Sequence, residues 1–252
     1  MAIQVRVGRG QGMVRRAAAR PSPLVYFARY MSAGDVTNLW LAEALFRLGG
    51  VKFGSFTVGR STVNSPIYID PKVLLREPRV LARVAQLIKT ETELGLAMRE
   101  PRFHSFDLVA GVPYGGLHLA TAYSLASDVP MIYGIPPRQL DGEAKIEGRY
   151  KEGETVLVID DLMTTGGSLL ETLSILKGAG LIVHDAIVLV DRGQGGVERL
   201  KRHNLHLVPL LNLTQILNFY VSRGLIGEAD YRRSLEYVRT HQHDAAAEAD
   251  GE

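Results

Sequence analysis

Val156-Leu157-Val158-Ile159-Asp160-Asp161-Leu162-Met163-Thr164-Thr165-Gly166-Gly167-Ser168 is the stretch whose reading decides the fold. Four apolar residues, Val156 to Ile159, predict a buried strand of a parallel sheet, ended by two adjacent carboxylates. Thr164 to Ser168 turn the chain into the apolar-periodic segment 169–176, which predicts a helix. Glycines let backbone N–H groups approach a phosphate closely, and a helix N-terminus adds partial positive charge. The hydroxyls of Thr164, Thr165 and Ser168 are further donors. Asp160 and Asp161 repel phosphate and suit hydroxyls, such as those of a ribose. A phosphate nest beside two acids has the form of a sugar-phosphate site. Helix capping alone needs one acid or hydroxyl, not two acids, three hydroxyls and two glycines. No lysine follows the glycines as in a Walker A loop, and the GxGxxG spacing of a dinucleotide fold is absent.

Outward from this stretch, strands alternate with helices. An amphipathic helix is expected over 36–48 and short strands over 53–58 and 65–70. A long helix is expected within 71–100, with 80–98 as its periodic part. Strands follow at 106–112, 131–134, 182–191 and 206–211, with helices to about Ser127 and over 213–224 and 228–240. The segment 135–150, with Pro136, Pro137, Gly142 and Gly148, has no apolar period and reads as a long loop, a lid or binding loop. The pattern predicts an α/β domain with a mainly parallel central sheet flanked by helices. Ligands of such sheets sit at the carboxyl ends of the strands. The polar, Gly-rich segments 113–116, 135–150, 160–168 and 191–196 all follow strands, so they are expected to gather around one site.

Composition narrows the field. The chain has 252 residues, 46% of them hydrophobic, enough for a sizeable core, and no cysteine, which excludes disulfides, Cys-zinc sites and thiol nucleophiles. Residues 1–34 carry six arginines and no acid. Taking those six from the 29 basic residues leaves 23 against 27 acids, a balance of −4. The net +2 is therefore no argument for nucleic-acid binding. No apolar run reaches the length of a membrane span, and the expected location is the cytoplasm. Three domains of organisation are read: a basic flexible leader over 1–34, a folded domain over 35–240 and a polar, Ala-rich disordered tail over 241–252. The leader lacks a secretory apolar core. It is an organelle transit peptide, an upstream mis-start or a basic arm.

Two further segments carry chemistry. Gly111-Val112-Pro113-Tyr114-Gly115-Gly116 is a tight strand-end loop, either a plain turn or, beside the first stretch, a pyrophosphate cradle. Asp191-Arg192-Gly193-Gln194-Gly195-Gly196 ends a strand with an arginine, either a surface ion pair or a fork for a planar carboxylate. Tyr68, in Ser65-Pro66-Ile67-Tyr68-Ile69-Asp70, is either core or a stacking platform for a flat ring.

The stretch 156–168 resembles the phosphoribosyl pyrophosphate (PRPP) signature of type I phosphoribosyltransferases. Phe53-Gly-Ser-Phe-Thr-Val58, Ser65 to Asp70, Gly111 to Gly116, Ile146-Glu-Gly148, the PRPP stretch and Asp191 to Gly196 follow one another in an order that resembles orotate phosphoribosyltransferase over about residues 35–230. The resemblance implies the type I fold with a small N-terminal hood. It also implies a homodimer that makes orotidine 5′-monophosphate and pyrophosphate from orotate and Mg–PRPP, in pyrimidine biosynthesis. Carried over by match, Asp160 and Asp161 hold the ribose hydroxyls, Thr164 to Ser168 cradle the 5′-phosphate, and Met163 is counted with the PRPP-binding residues. Tyr114, Gly115 and Gly116 lie near pyrophosphate. Arg192, Tyr68 and Thr164 serve orotate, and Mg²⁺ is held mainly through PRPP rather than by protein ligands.

The chain departs from that pattern twice. The family's mobile loop reads Arg-Lys-x-x-Lys-x-His/Tyr-Gly. Aligned on Gly142, its lysine positions hold Pro136 and Gln139, and Asp141 replaces His or Tyr. Arg138 and Lys145 are the nearest cations, and they are assigned the catalytic role of the missing lysines. Gly59 and Arg60 stand where the family has Lys-Ser, and Arg60 is assigned to the orotate side. Two alternatives stay open: a non-catalytic PRPP-binding regulator, and a phosphoribosyltransferase for another base.

Overall fold

The computed structural model describes residues 38–58, 62–137 and 144–241. Helix α1 (Leu39–Arg47) buries Leu41, Ala42, Ala44 and Leu45. Strands β1 (Val51–Val58) and β2 (Thr62–Ile69) pair antiparallel in a sheet of their own, the small hood. A 3₁₀ turn (Pro71–Arg76), capped by Asp70, leads into α2 (Pro78–Ala97). Then come β3 (Leu108–Gly111), α3 (Gly115–Ser127), β4 (Met131–Ile135), β5 (Lys145–Glu147) and β6 (Val156–Met163). The chain continues with α4 (Gly167–Gly178), β7 (Asp185–Asp191), α5 (Gly196–Arg202), β8 (His206–Asn212), α6 (Leu213–Ser222) and α7 (Glu228–His241).

The main sheet runs in the order β5-β4-β3-β6-β7-β8, parallel throughout except for β5 against β4. Its inner strands β3, β6 and β7 carry unbroken apolar runs because both faces are covered there. Alternate residues go to opposite cores. Val109, Leu157, Ile159, Ile187 and Leu189 join one, with Leu119 and Tyr123 of α3 and residues of α1, α2, α6 and α7. Ala110, Val156, Val158, Ala186 and Val188 join the other, with Leu169, Leu173 and Leu176 of α4 and Leu200 of α5. After β3 the chain steps outward to β4, and after β6 it steps the other way to β7. Right-handed crossovers therefore put α3 and α4 on opposite faces, and a crevice opens between the ends of β3 and β6.

Two expectations are corrected. The segment 135–150 is not all loop: Ile135, Gly134 and Tyr133 pair with Lys145, Ile146 and Glu147, so it contains the second strand of an antiparallel hairpin. A three-residue strand is too short to show a period. The central strand also does not end before the carboxylates but runs through them to Met163. β3 stops at Gly111, opposite Ile159, while β7 keeps pairing with β6 as far as Met163 and Asp191. The leader 1–34 and the tail beyond residue 241 lie outside the described residues.

Candidate active site

The mismatch in strand length creates the site. Past the end of β3, Asp160 and Asp161 still have a strand neighbour on the β7 side while their other flank faces the crevice. Asp160 is 5% exposed, and its Oδ1 accepts a hydrogen bond from the Asp161 N–H at 2.8 Å. Burial, and then the neighbouring negative charge of Asp161, push the Asp160 carboxyl well above the ordinary carboxylate range. Burial also raises Asp161, partly offset by the charge of Lys72. Asp161 Oδ2 is buried without a hydrogen-bond partner among the described residues, 4.0 Å from Lys72 Nζ.

The 113–116 turn packs directly on these acids. A Cβ at Gly115 would lie 2.1 Å from Asp161 Cγ, and one at Gly116 would lie 2.2 Å from the Ile159 carbonyl oxygen. Only glycines allow this approach, which sets the N-terminus of α3 against Asp161. The Pro113–Tyr114 peptide is cis, and Tyr114 is two-thirds exposed.

On the other side, Thr164 to Ser168 form a turn with Gly166 at φ 80°, and α4 begins at Gly167. Asp160, Leu162 and residues 163–169 line a cleft of about 130 Å³. Among the described residues no side chain caps α3 or α4, nor α1, α2 or α5, and it is α3 and α4 that follow β3 and β6 at the crevice. The first-turn N–H groups of α3 and α4 are thus left for an anion. Met163 is 2% exposed, with its side chain in the core beside Leu169 and Leu200.

Arg192 follows β7, its N–H donating to the Met163 carbonyl at 3.0 Å. Its guanidinium is buried and donates to Ser65 Oγ at 2.9 Å and the Ile67 carbonyl at 3.2 Å, joining the hood to the main sheet. Burial lowers its pKa from that of a free guanidinium. Tyr68, half-buried, lies ring to ring with Phe56, centroids 5.6 Å apart.

The structure therefore brings together Asp160, Asp161, the 113–116 turn and the 164–168 turn, with Arg192 at the neighbouring strand end under the hood. Lys145 stands apart from the acids on β5, exposed, its ammonium on Glu147. Arg60 and Arg138 lie outside the described residues. Sequence reasoning missed Lys72. It follows the hood in the 3₁₀ turn, 3.0 Å from Asp70 and facing Asp161. Burial works against its charge, but the hydrogen bond to Asp70 and the charges of Asp161 and Asp70 together raise its pKa. No motif marks it; the signal available was a lysine two residues after a capping aspartate.

Residues 73–204 match the family model of the phosphoribosyl transferase domain. The chain is 33% identical to orotate phosphoribosyltransferase of Chlamydia caviae over 192 residues, 74% of this chain and 87% of that one. It is 31% identical to uridine 5′-monophosphate synthase of Bos taurus over 217 residues, covering 86% of this chain but spanning only 44% of that protein. Among solved structures, orotate phosphoribosyltransferase from Aeropyrum pernix superposes with a TM-score of 0.60 at 31% identity, over 71% of this chain and 97% of that one.

Proposed function

We propose, for a chain that belongs to the phosphoribosyltransferase family and within it to the orotate phosphoribosyltransferases, that the crevice between β3 and β6 transfers a phosphoribosyl group from PRPP to orotate. The products are orotidine 5′-monophosphate and pyrophosphate, on the route to UMP. One observation carries the reading: two adjacent carboxylates at the switch point, Asp160 buried and Asp161 largely so, lie between the first turns of α3 and α4, which no side chain caps. That arrangement suits a ribose with a phosphate at either end.

In this reading the first turn of α4, with the hydroxyls of Thr164, Thr165 and Ser168, takes the 5′-phosphate. Tyr114, Gly115 and Gly116 lie along the diphosphate. Arg192 and Tyr68 face the base. The bond from C1 to the diphosphate oxygen breaks, and its electron pair leaves on the diphosphate. The base N1 supplies the pair for the new C1–N bond and loses its proton to solvent. Positive charge grows on the ribose in between, where Asp160 and Asp161 stabilise it. Mg²⁺ enters as part of the substrate, Mg–PRPP. Family resemblance supports a homodimer in the cytoplasm with the catalytic domain over 35–240. No described helix is long and apolar enough to cross a membrane.

The test is turnover of purified protein with Mg–PRPP and orotate, followed by loss of orotate absorbance. Turnover is expected. A second reading, a PRPP-binding protein without this chemistry or one acting on another base, is favoured by Pro136, Gln139 and Asp141 at the loop positions where the family carries lysines and His or Tyr. Tight PRPP binding with no pyrophosphate release from any base would select the non-catalytic form.

A further inference from the structure

Lys72 is the described cation that the site already surrounds, and the motifs above leave it without a role. Its turn packs against the start of α3, so that Lys72, Gly115, His118 and Asp161 line one shallow pocket. The side chain is half exposed. Its ammonium is held 3.0 Å from Asp70 and stands 4.0 Å from Asp161 Oδ2, too far for a hydrogen bond. It is aimed at the acid pair without being spent on it.

The Gly115 contact sharpens the point. With the 113–116 turn pressed onto the Asp161 carboxylate, residue 115 carries no side chain, so this turn offers the pocket only backbone dipoles at that position. A full positive charge enters from the opposite wall, on Lys72.

We propose that Lys72 is a catalytic residue that binds the diphosphate of PRPP and stabilises it as it leaves. This rests on the reading above, with Asp161, the acid packed against the diphosphate turn at Gly115, on the 2-hydroxyl of the ribose. The diphosphate departs from the carbon next to the one bearing the 2-hydroxyl. A cation beside the carboxylate that binds this hydroxyl is therefore beside the departing oxygen. Lys72 keeps its proton throughout. It turns from Asp70 toward the oxygen that receives the electron pair and offsets the charge there, a contribution larger in the transition state than in the ground state.

The experiment compares wild type with Lys72→Met, Lys72→Arg and Asp70→Asn in steady-state turnover of Mg–PRPP and orotate. Calorimetric binding of Mg–pyrophosphate and the thermal midpoint are measured on each. Lys72→Met is expected to lower kcat/KM for PRPP roughly 100-fold and to weaken Mg–pyrophosphate about tenfold, with the KM for orotate moving less than about threefold. Lys72→Arg is expected to restore activity to within roughly tenfold of wild type, because a charge near the leaving group remains. Asp70→Asn breaks the same ion pair but leaves the ammonium in place, so it is expected to keep wild-type turnover.

A merely structural Lys72–Asp70 pair predicts that Asp70→Asn and Lys72→Met lose activity and thermal midpoint together, and that result overturns the proposal. So does an active wild type whose Lys72→Met variant matches it, which leaves the transferase reading standing. A wild type without turnover that binds Mg–pyrophosphate in a Lys72-dependent manner overturns orotate transfer and supports the Lys72 site. A wild type that neither turns over nor binds Mg–pyrophosphate overturns both.

Discussion

Asp160→Asn exchanges a charged acceptor for a neutral one of the same shape at a buried point of the site. The Asp160 side chain is 5% exposed and the adjoining Asp161 side chain 13%. Folding strips water from two neighbouring carboxylates, with Lys72 at 4.0 Å from the second. As a scale, like charges repel by roughly 4 kcal/mol at about 4 Å and an effective dielectric constant near 20, and by less at longer range. Part of that is offset by Lys72 and by protonation. Neutralising Asp160 is expected to relieve about 2 kcal/mol, equivalent to a rise of roughly 4–8 °C in Tm for a domain of this size. The hydrogen bond from the Asp161 N–H survives, since an asparagine oxygen accepts it equally well.

The pH dependence gives the signature. The native Asp160 carboxyl binds its proton more tightly than the unfolded one, so unfolding releases protons. The stability cost is absent below the ordinary carboxyl value and grows as pH rises from there through the raised native value. Denaturation of wild type and Asp160→Asn from about pH 4 to about pH 8 reads this directly. The stability gain is expected to be full above the raised native value and to fade in acid, while turnover drops roughly 100-fold or more. A variant that is less stable than wild type by the same amount at every pH would refute the reasoning.

Gly116→Ala drives a Cβ to 2.2 Å from the Ile159 carbonyl oxygen and must displace α3 from β6. Urea denaturation is expected to show a loss of about 1–3 kcal/mol. Arg192→Ala is expected to raise the KM for orotate by about tenfold or more while moving that for PRPP far less. Equal rises in both would place the base elsewhere. Asp185→Asn alters a buried carboxylate at the opposite end of β7, where it accepts from the His104 N–H at 2.7 Å and meets Nδ1 of His104 and of His206 at 3.0 Å each. Its loss is expected to cost about 2 kcal/mol of stability without changing kcat, measured by thermal denaturation and turnover.

Much of this molecule was legible in its residues. Val156 to Ile159 and Ile187 to Val190 are apolar on both faces, which marks a sheet covered on two sides before any contact is known. The glycines and hydroxyls of 164–168 mark a turn open to an anion, and Gly115-Gly116 a second one. These signals are local: each depends on the periodicity or steric freedom of a few consecutive residues. Strand alternation then implies that the turns share an edge.

Other features arise only when distant segments meet. That β6 runs on through Asp160 and Asp161 depends on β7 being long and β3 short, a property of three strands at once. β5 exists because β4 offers it an edge; its three residues alone specify nothing. Arg192 was legible as a cation at a strand end, but its bonds to Ser65 and Ile67 come from a hairpin more than a hundred residues away. Lys72 owes its place facing Asp161 to the packing of a 3₁₀ turn on α3. The sequence by itself determined the elements and the anion-binding turns, because backbone geometry and hydrophobic periodicity act over a few residues. The tertiary structure alone decided which charges face one another across the crevice, because electrostatic coupling depends on distance in space and burial, and neither is written in the spacing along the chain.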